Sequence, residues 1–222
     1  MRRLLVPFLL LLPLAAQAKK PPPPPEWGPS SLTEDDFRAG TIALNATKPE
    51  EAVTAFQAVL EREPTCGGAL LGVGRALYLS GKAAEAEAPL ELAATAFPDK
   101  LDAHIWYGRV LVELGKPAEG LFEAKAVLTI KPGSLDGQRV AQTALLVQKD
   151  YKQAHELLVA ARAIANVVAY NCLEGVVYAE EGDAAKAAEM VPLCEGVPDP
   201  SLLDALKSRV TPAPAPAPAP AL

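Results

Sequence analysis

The chain has 222 residues, of which 50% are hydrophobic, 22% charged and 5% aromatic, and its formal charge is −6. That is enough for one globular or solenoid body, and the abundance of alanine and leucine favours helices. A net negative charge with no basic cluster beyond the extreme N-terminus argues against a nucleic-acid partner, which asks for a basic surface.

Residues 1–18 read as a secretory signal peptide. Arg2 and Arg3 form its positive end, residues 4–14 an apolar run, and Ala16-Gln17-Ala18 an A-x-A cleavage site. The run is broken by Pro7 and Pro13 and is far shorter than the roughly 20 residues needed to span a bilayer. An exported protein, periplasmic or extracellular, with no integral membrane span is therefore expected. Residues 19–32 read as a proline-rich linker, because the consecutive prolines at 21–25 enforce an extended spacer. Ser31 and Thr33 then offer helix N-caps, with Glu34, Asp35 and Asp36 where the helix dipole favours acids.

From residue 33 the chain repeats itself. Gly74 and Gly108 are 34 residues apart, as are Gly81 and Gly115, Lys82 and Lys116, and Pro98 and Pro132; the same step backwards reaches Gly40 and Pro64. A fixed period of this length marks an array of helix–turn–helix units. Helices are predicted at 33–46 and 49–62, 67–80 and 83–96, and 101–114 and 117–130. Weaker units follow, with helices at 135–148 and 151–165, where Gln142 replaces the glycine and Asn166 the proline. A fifth unit restores Gly175, Tyr178, Gly182 and Ala187 after a step of 33, and its second helix should end early at Pro192. Residues 201–210 predict a short capping helix. Residues 211–222, with proline alternating with alanine from Pro212 to Ala221, are expected to be a disordered tail.

These markers resemble the tetratricopeptide repeat family. With units beginning at Thr33, Gly67 and Leu101, the glycines fall at repeat position 8. Small residues follow at position 20 (Ala52, Ala86, Gly120), and position 24 carries Phe56 and Leu90 but only Ala124. Position 27 carries Val59, Ala93 and Val127, and proline closes each unit at position 32. The family's bulky residue at position 4 is absent, and Trp106 and Tyr107 are the candidates to fill its space in the third unit. The resemblance implies an all-α fold: a right-handed α-solenoid of about five such repeats over residues 33–210, closed by a C-terminal capping helix.

In this family the first helix of each unit lines a groove. The corresponding positions here are Phe37, Leu71 and Ile105 at position 5, and Tyr78 and Val112 at position 12. Arg75 and Arg109 share position 9, and Arg139 stands at position 5 of the fourth unit. An apolar stripe containing arginines suits a protein or peptide partner that carries carboxylates. The same residues also suit a structural role, with the apolar side chains packed between units and the arginines answering Glu113 and Asp136. The lysine and asparagine pattern of chaperone-tail-binding members is absent, since Phe37 and Thr41 stand where it would begin.

Catalytic chemistry leaves no convincing motif. His155-Glu156 starts a zinc-protease-like H-E-x-x-H, but Val159 occupies the second histidine's place. The glycine run at 67–74 lacks the G-K-[ST] of a phosphate loop. No catalytic residue, cofactor or metal is expected, and the reading is a non-catalytic scaffold or adaptor of the cell envelope. A structural spacer with proline-rich ends and an accessory subunit of an envelope enzyme are the alternatives. Of the three cysteines, Cys172 at position 5 of the fifth unit and Cys194 at position 27 should meet on antiparallel helices. A Cys172–Cys194 disulfide and a free Cys66 are therefore predicted.

Overall fold

Each helical pair is punctuated in the same way. The amides of Lys48, Lys82, Lys116, Asp150 and Asp183 donate to the carbonyls of Ala43, Leu77, Leu111, Leu145 and Tyr178, at 2.8–2.9 Å. The residue before each donor is left-handed: Thr47 (φ 56°), Gly81 (74°), Gly115 (76°), Lys149 (58°) and Gly182 (95°). This six-to-one bond is the Schellman stop, which satisfies carbonyls that the ending helix leaves open. Among the described residues five such stops define five units, including the two whose sequence markers are weakest.

This computed structural model describes residues 26–165 and 167–210. The leader expected at 1–18, the proline run at 21–25, Asn166 and the tail expected at 211–222 lie outside the described residues. Every regular element among the described residues is a helix. The first unit comprises α1 (Glu34–Asn45) and α2 (Pro49–Arg62), and the second α3 (Gly67–Leu79) and α4 (Ala83–Ala96). The third and fourth comprise α5 (Leu101–Glu113) with α6 (Pro117–Ile130), and α7 (Leu135–Gln148) with α8 (Tyr151–Ile164). The fifth holds α9 (Val168–Glu181) and α10 (Ala184–Cys194), and α11 (Pro200–Val210) follows.

Small residues set how closely these helices approach. A Cβ at Gly74 would lie 2.3 Å from Cγ of Leu90, and one at Gly40 would lie 2.9 Å from the Phe56 ring. In the third unit, where position 24 is only Ala124, Gly108 instead faces Val140 at 2.9 Å and the Gly120 carbonyl at 3.2 Å. Gly120 and Val140 thus take up the space that a larger residue at position 24 fills elsewhere. Gln142, in the glycine's place in the fourth unit, is buried and donates from Nε2 to the Ala154 carbonyl at 3.1 Å.

Each first helix touches its own partner, the helix before it, and the next unit's first helix, as α3 does α5, α5 does α7 and α7 does α9. Among the described residues the second helices make no such contact with one another. The stack therefore curves toward the first helices, which form its concave face. The capping helix α11 continues that row by packing on α9, and Leu206 of α11 fills the space over Gly175.

Three features depart from the sequence reading. Residues 26–32, expected as the end of a free linker, dock on the second unit. The Gly67 and Gly68 amides donate to the carbonyls of Glu26 and Trp27 at 2.8 and 2.7 Å, and Trp27 meets Phe97 edge-on at 5.2 Å. Thr33 precedes α1, but its hydroxyl, like that of Ser30, turns to Glu63 instead of the helix amides. The Ser30 hydrogen bond, followed by that of Thr33, holds the Glu63 carboxyl below its usual range. Finally, α10 does not stop at Pro192. Proline removes one amide bond, yet the helix continues to Cys194, whose side chain is fully buried against α9.

The bulky residue missing at position 4 is replaced by polar ties inside the unit where that position is Asp36, His104 or Asn171, whereas the second unit has the buried Leu70 there. Arg62 of α2 bonds Asp36, and Asn171 donates to the Leu193 carbonyl at 2.9 Å. Tyr107 is buried in the core, whereas Trp106 points to the concave side and only partly leaves solvent. His104 places Nδ1 2.6 Å from Glu123 and Nε2 3.2 Å from the Pro98 carbonyl. Both neighbours are acceptors, an arrangement that favours the doubly protonated, cationic form of the buried imidazole.

Two outcomes follow from this packing. Gly74→Ala should lower stability by about 1–3 kcal/mol through overpacking, despite alanine's better helix propensity, and show as a reduced urea midpoint with an unchanged slope; an unchanged or raised midpoint would contradict the close approach. Glu123, more than any other group, raises the His104 pKa above its ordinary 6.5. The stabilisation is therefore complete below that ordinary value and is lost as pH rises through the folded pKa. Urea unfolding between about pH 6 and about pH 9 should show this decline in the wild type and lose it in His104→Gln; parallel curves would contradict it.

Candidate functional site

The concave face carries the candidate site. Two clefts lie along it and meet at Arg139 and Thr143 of α7. The first, of about 360 Å³, is lined by Tyr78 of α3, Arg109, Val112 and Glu113 of α5, and Val140 of α7. The second, of about 400 Å³, is largely aliphatic and includes Leu146, Leu173, Val176 and Leu202, with Glu180 and Arg209 at its edge.

Trp106 organises the cationic part. The Arg75 guanidinium lies 5.2 Å from its ring centroid and that of Arg109 4.6 Å, while Tyr78 meets it edge-on at 5.7 Å. Arg75 and Arg109 share one repeat position on successive first helices, and Trp106, three residues before Arg109, reaches both. A guanidinium on an aromatic face keeps its N–H donors free at the edge of the plane.

The arginines differ in what else they touch. Arg109 donates to Asp136 at 2.7 Å and Arg139 to Asp199 at 2.8 Å. Farther along, Arg209 pairs with Glu180 at 2.7 Å. Among the described residues Arg75 makes no ion pair, and its Nε is buried without a hydrogen-bond partner. Glu113 lies at the Tyr78 hydroxyl; burial, and then this carboxylate, raise the Tyr78 pKa. Counting these side chains, four cations face four carboxylates, so the groove is nearly neutral as a whole. Among the described residues, its one cation without an acid is Arg75.

The expected site residues divide accordingly. Tyr78, Arg109, Val112 and Arg139 line the first cleft, and Arg75 joins them through Trp106. Ile105 does not: it is 7% exposed and belongs to the core. Phe37 packs edge-on against Phe56 at 5.4 Å, and Leu71 lies against the same N-terminal core. In the first three units position 5 therefore faces the core more than a ligand. The sequence reading missed Trp106 as a groove residue. Its three-residue spacing from Arg109 was the available signal, since residues three apart on a helix share a face. The α9 and α11 residues of the second cleft were also missed.

The tetratricopeptide repeat family model matches residues 37–100, the first two units. The structure is similar to a thermophilic tetratricopeptide-repeat protein of Thermus thermophilus, with a TM-score of 0.64 and 16% identity over 80% of this chain and 98% of that one. The fold is a tetratricopeptide-repeat solenoid. MamA from Desulfovibrio magneticus RS-1 gives a TM-score of 0.63 at 17% identity, covering 82% of this chain and 99% of that one. YrrB, a tetratricopeptide-repeat protein with an unusual peptide-binding site, gives 0.58 at 20% identity, covering 78% and 90%. No curated protein matches the sequence.

At the solenoid's C-terminal end, Cys172 of α9 and Cys194 of α10 form a disulfide with Cα atoms 5.1 Å apart, and Cys66 is free and buried beside the Trp27 carbonyl. The bridge joins the fifth unit's two helices where α10 carries Pro192. It lies beneath the wall of the second cleft, not in it. No helix among the described residues is long and apolar enough to cross a membrane.

Proposed function

We propose that this solenoid is a non-catalytic adaptor that binds a partner peptide along its concave groove, with an acidic group of the partner on Arg75 and aliphatic side chains in the clefts beyond. The observation that carries the reading is Arg75 itself: a guanidinium backed by Trp106, buried at Nε and lacking an acid of its own. Desolvating a cation without a counter-charge is unfavourable, and a ligand carboxylate supplies two acceptors in the plane that guanidinium prefers. Binding by extended or helical segments is a general use of grooves lined in this way. The peptide-binding site described for YrrB supports the same use of the fold.

We further propose that the protein works after export, in the cell envelope or outside the cell. The leader pattern at residues 1–18 and the paired cysteines support this, because disulfides persist in oxidising compartments. The native protein should then begin at Lys19 on N-terminal sequencing and show one reactive thiol, that of Cys66, when denatured without reductant. A chain beginning at Met1 with three reactive thiols would remove the export reading.

The groove is tested on a partner peptide by calorimetry. Arg75→Ala should weaken binding by about 10- to 100-fold, the equivalent of about 1.5–3 kcal/mol for a charge-assisted hydrogen bond. Arg75→Lys should recover only part of it, because ammonium cannot make the bidentate contact. Helicity and melting should change little, since cation–π contacts at partly exposed sites contribute about 0.5–1 kcal/mol. Equal affinities for all three proteins would move the recognition face off this groove.

A further inference from the structure

The groove's arginines are not equivalent, and the difference lies in what occupies them within the chain. Arg139 lines both clefts, standing where one passes into the other. Its partner, Asp199, is 60 residues farther along, in the loop that leads into α11. The two carboxylate oxygens of Asp199 have separate tasks. Oδ1 accepts from the amide and hydroxyl of Ser201 at 3.1 and 2.6 Å, fixing the start of α11, while Oδ2 takes Arg139 at 2.8 Å. The acid is thus anchored on its own side of the contact, and the arginine is the flexible partner.

Resting on the groove function proposed above, we infer that Asp199 is a built-in competitor for ligand acids: it holds Arg139 in the way an incoming carboxylate would, and a ligand that spans both clefts must displace it. The pair is open enough to exchange, with side chains 35% and 39% exposed. Exposed pairs of this kind add little to stability, so replacing one carboxylate by another changes little apart from the contact itself. Arg109 is different. Its guanidinium is held by Asp136 on one side and by Trp106 on the other, so it is a fixed part of the wall. The resting groove therefore offers one open acid site, at Arg75, and one occupied acid site, at Arg139.

The spacing defines the ligand class. Arg75 and Arg139 lie on first helices two units apart, and packed helices are separated by about 10 Å, so the two sites are about 20 Å apart. An extended chain advances about 3.3 Å per residue, which places the two acids of a matching peptide about six residues apart. Aliphatic side chains between and beyond them would meet Val112, Val140 and Leu146. A peptide with one acid binds at Arg75 without touching the cap. One with two acids at this separation also draws Arg139 away from Asp199.

The test uses the full chain and Asp199→Asn. Asparagine keeps an oxygen for the Ser201 amide but removes the charge that holds Arg139. The probe is N-acetylglutamate α-amide, a single carboxylate, titrated while the arginine Nε–H resonances are followed by NMR. In the wild type Arg75 should respond first, with Arg139 needing at least about tenfold more probe; in Asp199→Asn the two should respond within about twofold of each other. Amide protection at the buried Leu202 and Leu206 should be the same in both proteins. If Arg139 stays silent in Asp199→Asn, or responds equally in both proteins, while Arg75 responds, the competitor role is overturned and the groove function stands. If protection in α11 is lost in the variant, the response belongs to a detached cap, which also overturns it. Silence of Arg75 in both proteins would overturn the groove function and this inference together.

Discussion

The structure depends on how closely two helices can approach at one phase of the repeat. At Gly40, Gly74 and Gly175 there is no room for a side chain, because Phe56, Leu90 and Leu206 already fill it. This contact sets the angle between a unit's helices and the distance between units. It also explains why no unit stands alone. The residue that fills the glycine's space must be buried, and stacking with neighbours completes the burial. Where the pattern changes the compensation is local: Ala124 leaves space that Gly120 and Val140 close, and Gln142 enters with a hydrogen bond to the Ala154 carbonyl.

The concave groove is a consequence of that stacking. Among the described residues first helices contact one another along the row and second helices do not, so equivalent positions on successive first helices converge on the inner face. Arg75 and Arg109 meet over Trp106 for this reason. The row is mostly neutralised by the chain's own acids. Asp136 belongs to the first turn of α7, where a carboxylate also suits the helix dipole, and Asp199 belongs to the start of the cap. An acidic overall charge and a groove rich in arginine are therefore compatible. In the proposed function, selectivity rests on which cation lacks an internal partner, more than on how many cations there are.

Much of the fold was legible because its determinants are local and periodic. The step of 34 from Gly74 to Gly108 and from Pro98 to Pro132 carries both the close approach and the stops between helices. The Schellman stop even persists where Thr47 and Lys149 replace glycine. The candidate site was legible only in part. Repeat position could place Arg75 and Arg109 side by side, but it could not show that Arg139 is held by an acid 60 residues away. Ile105 was assigned to the groove by position, yet it is buried in the core cluster that also holds Leu121 and Val140. The docking of residues 26–32 was also out of reach, since it depends on Trp27 finding Phe97 and the open amides of α3 across the fold. Proline-rich composition reports the stiffness of a segment and not where its neighbours will rest.

The central claim is that recognition occurs on the first-helix face, centred on the arginine that lacks an internal acid. The most direct measurement is a crystal structure of the protein with its partner segment bound. The account predicts a partner carboxylate in bidentate contact with the Arg75 guanidinium, at about 2.7–2.9 Å, with Trp106 beneath it and aliphatic side chains in the cleft beside Val112. A partner seated on the second helices, with Arg75 left as it is in the free protein, would contradict it.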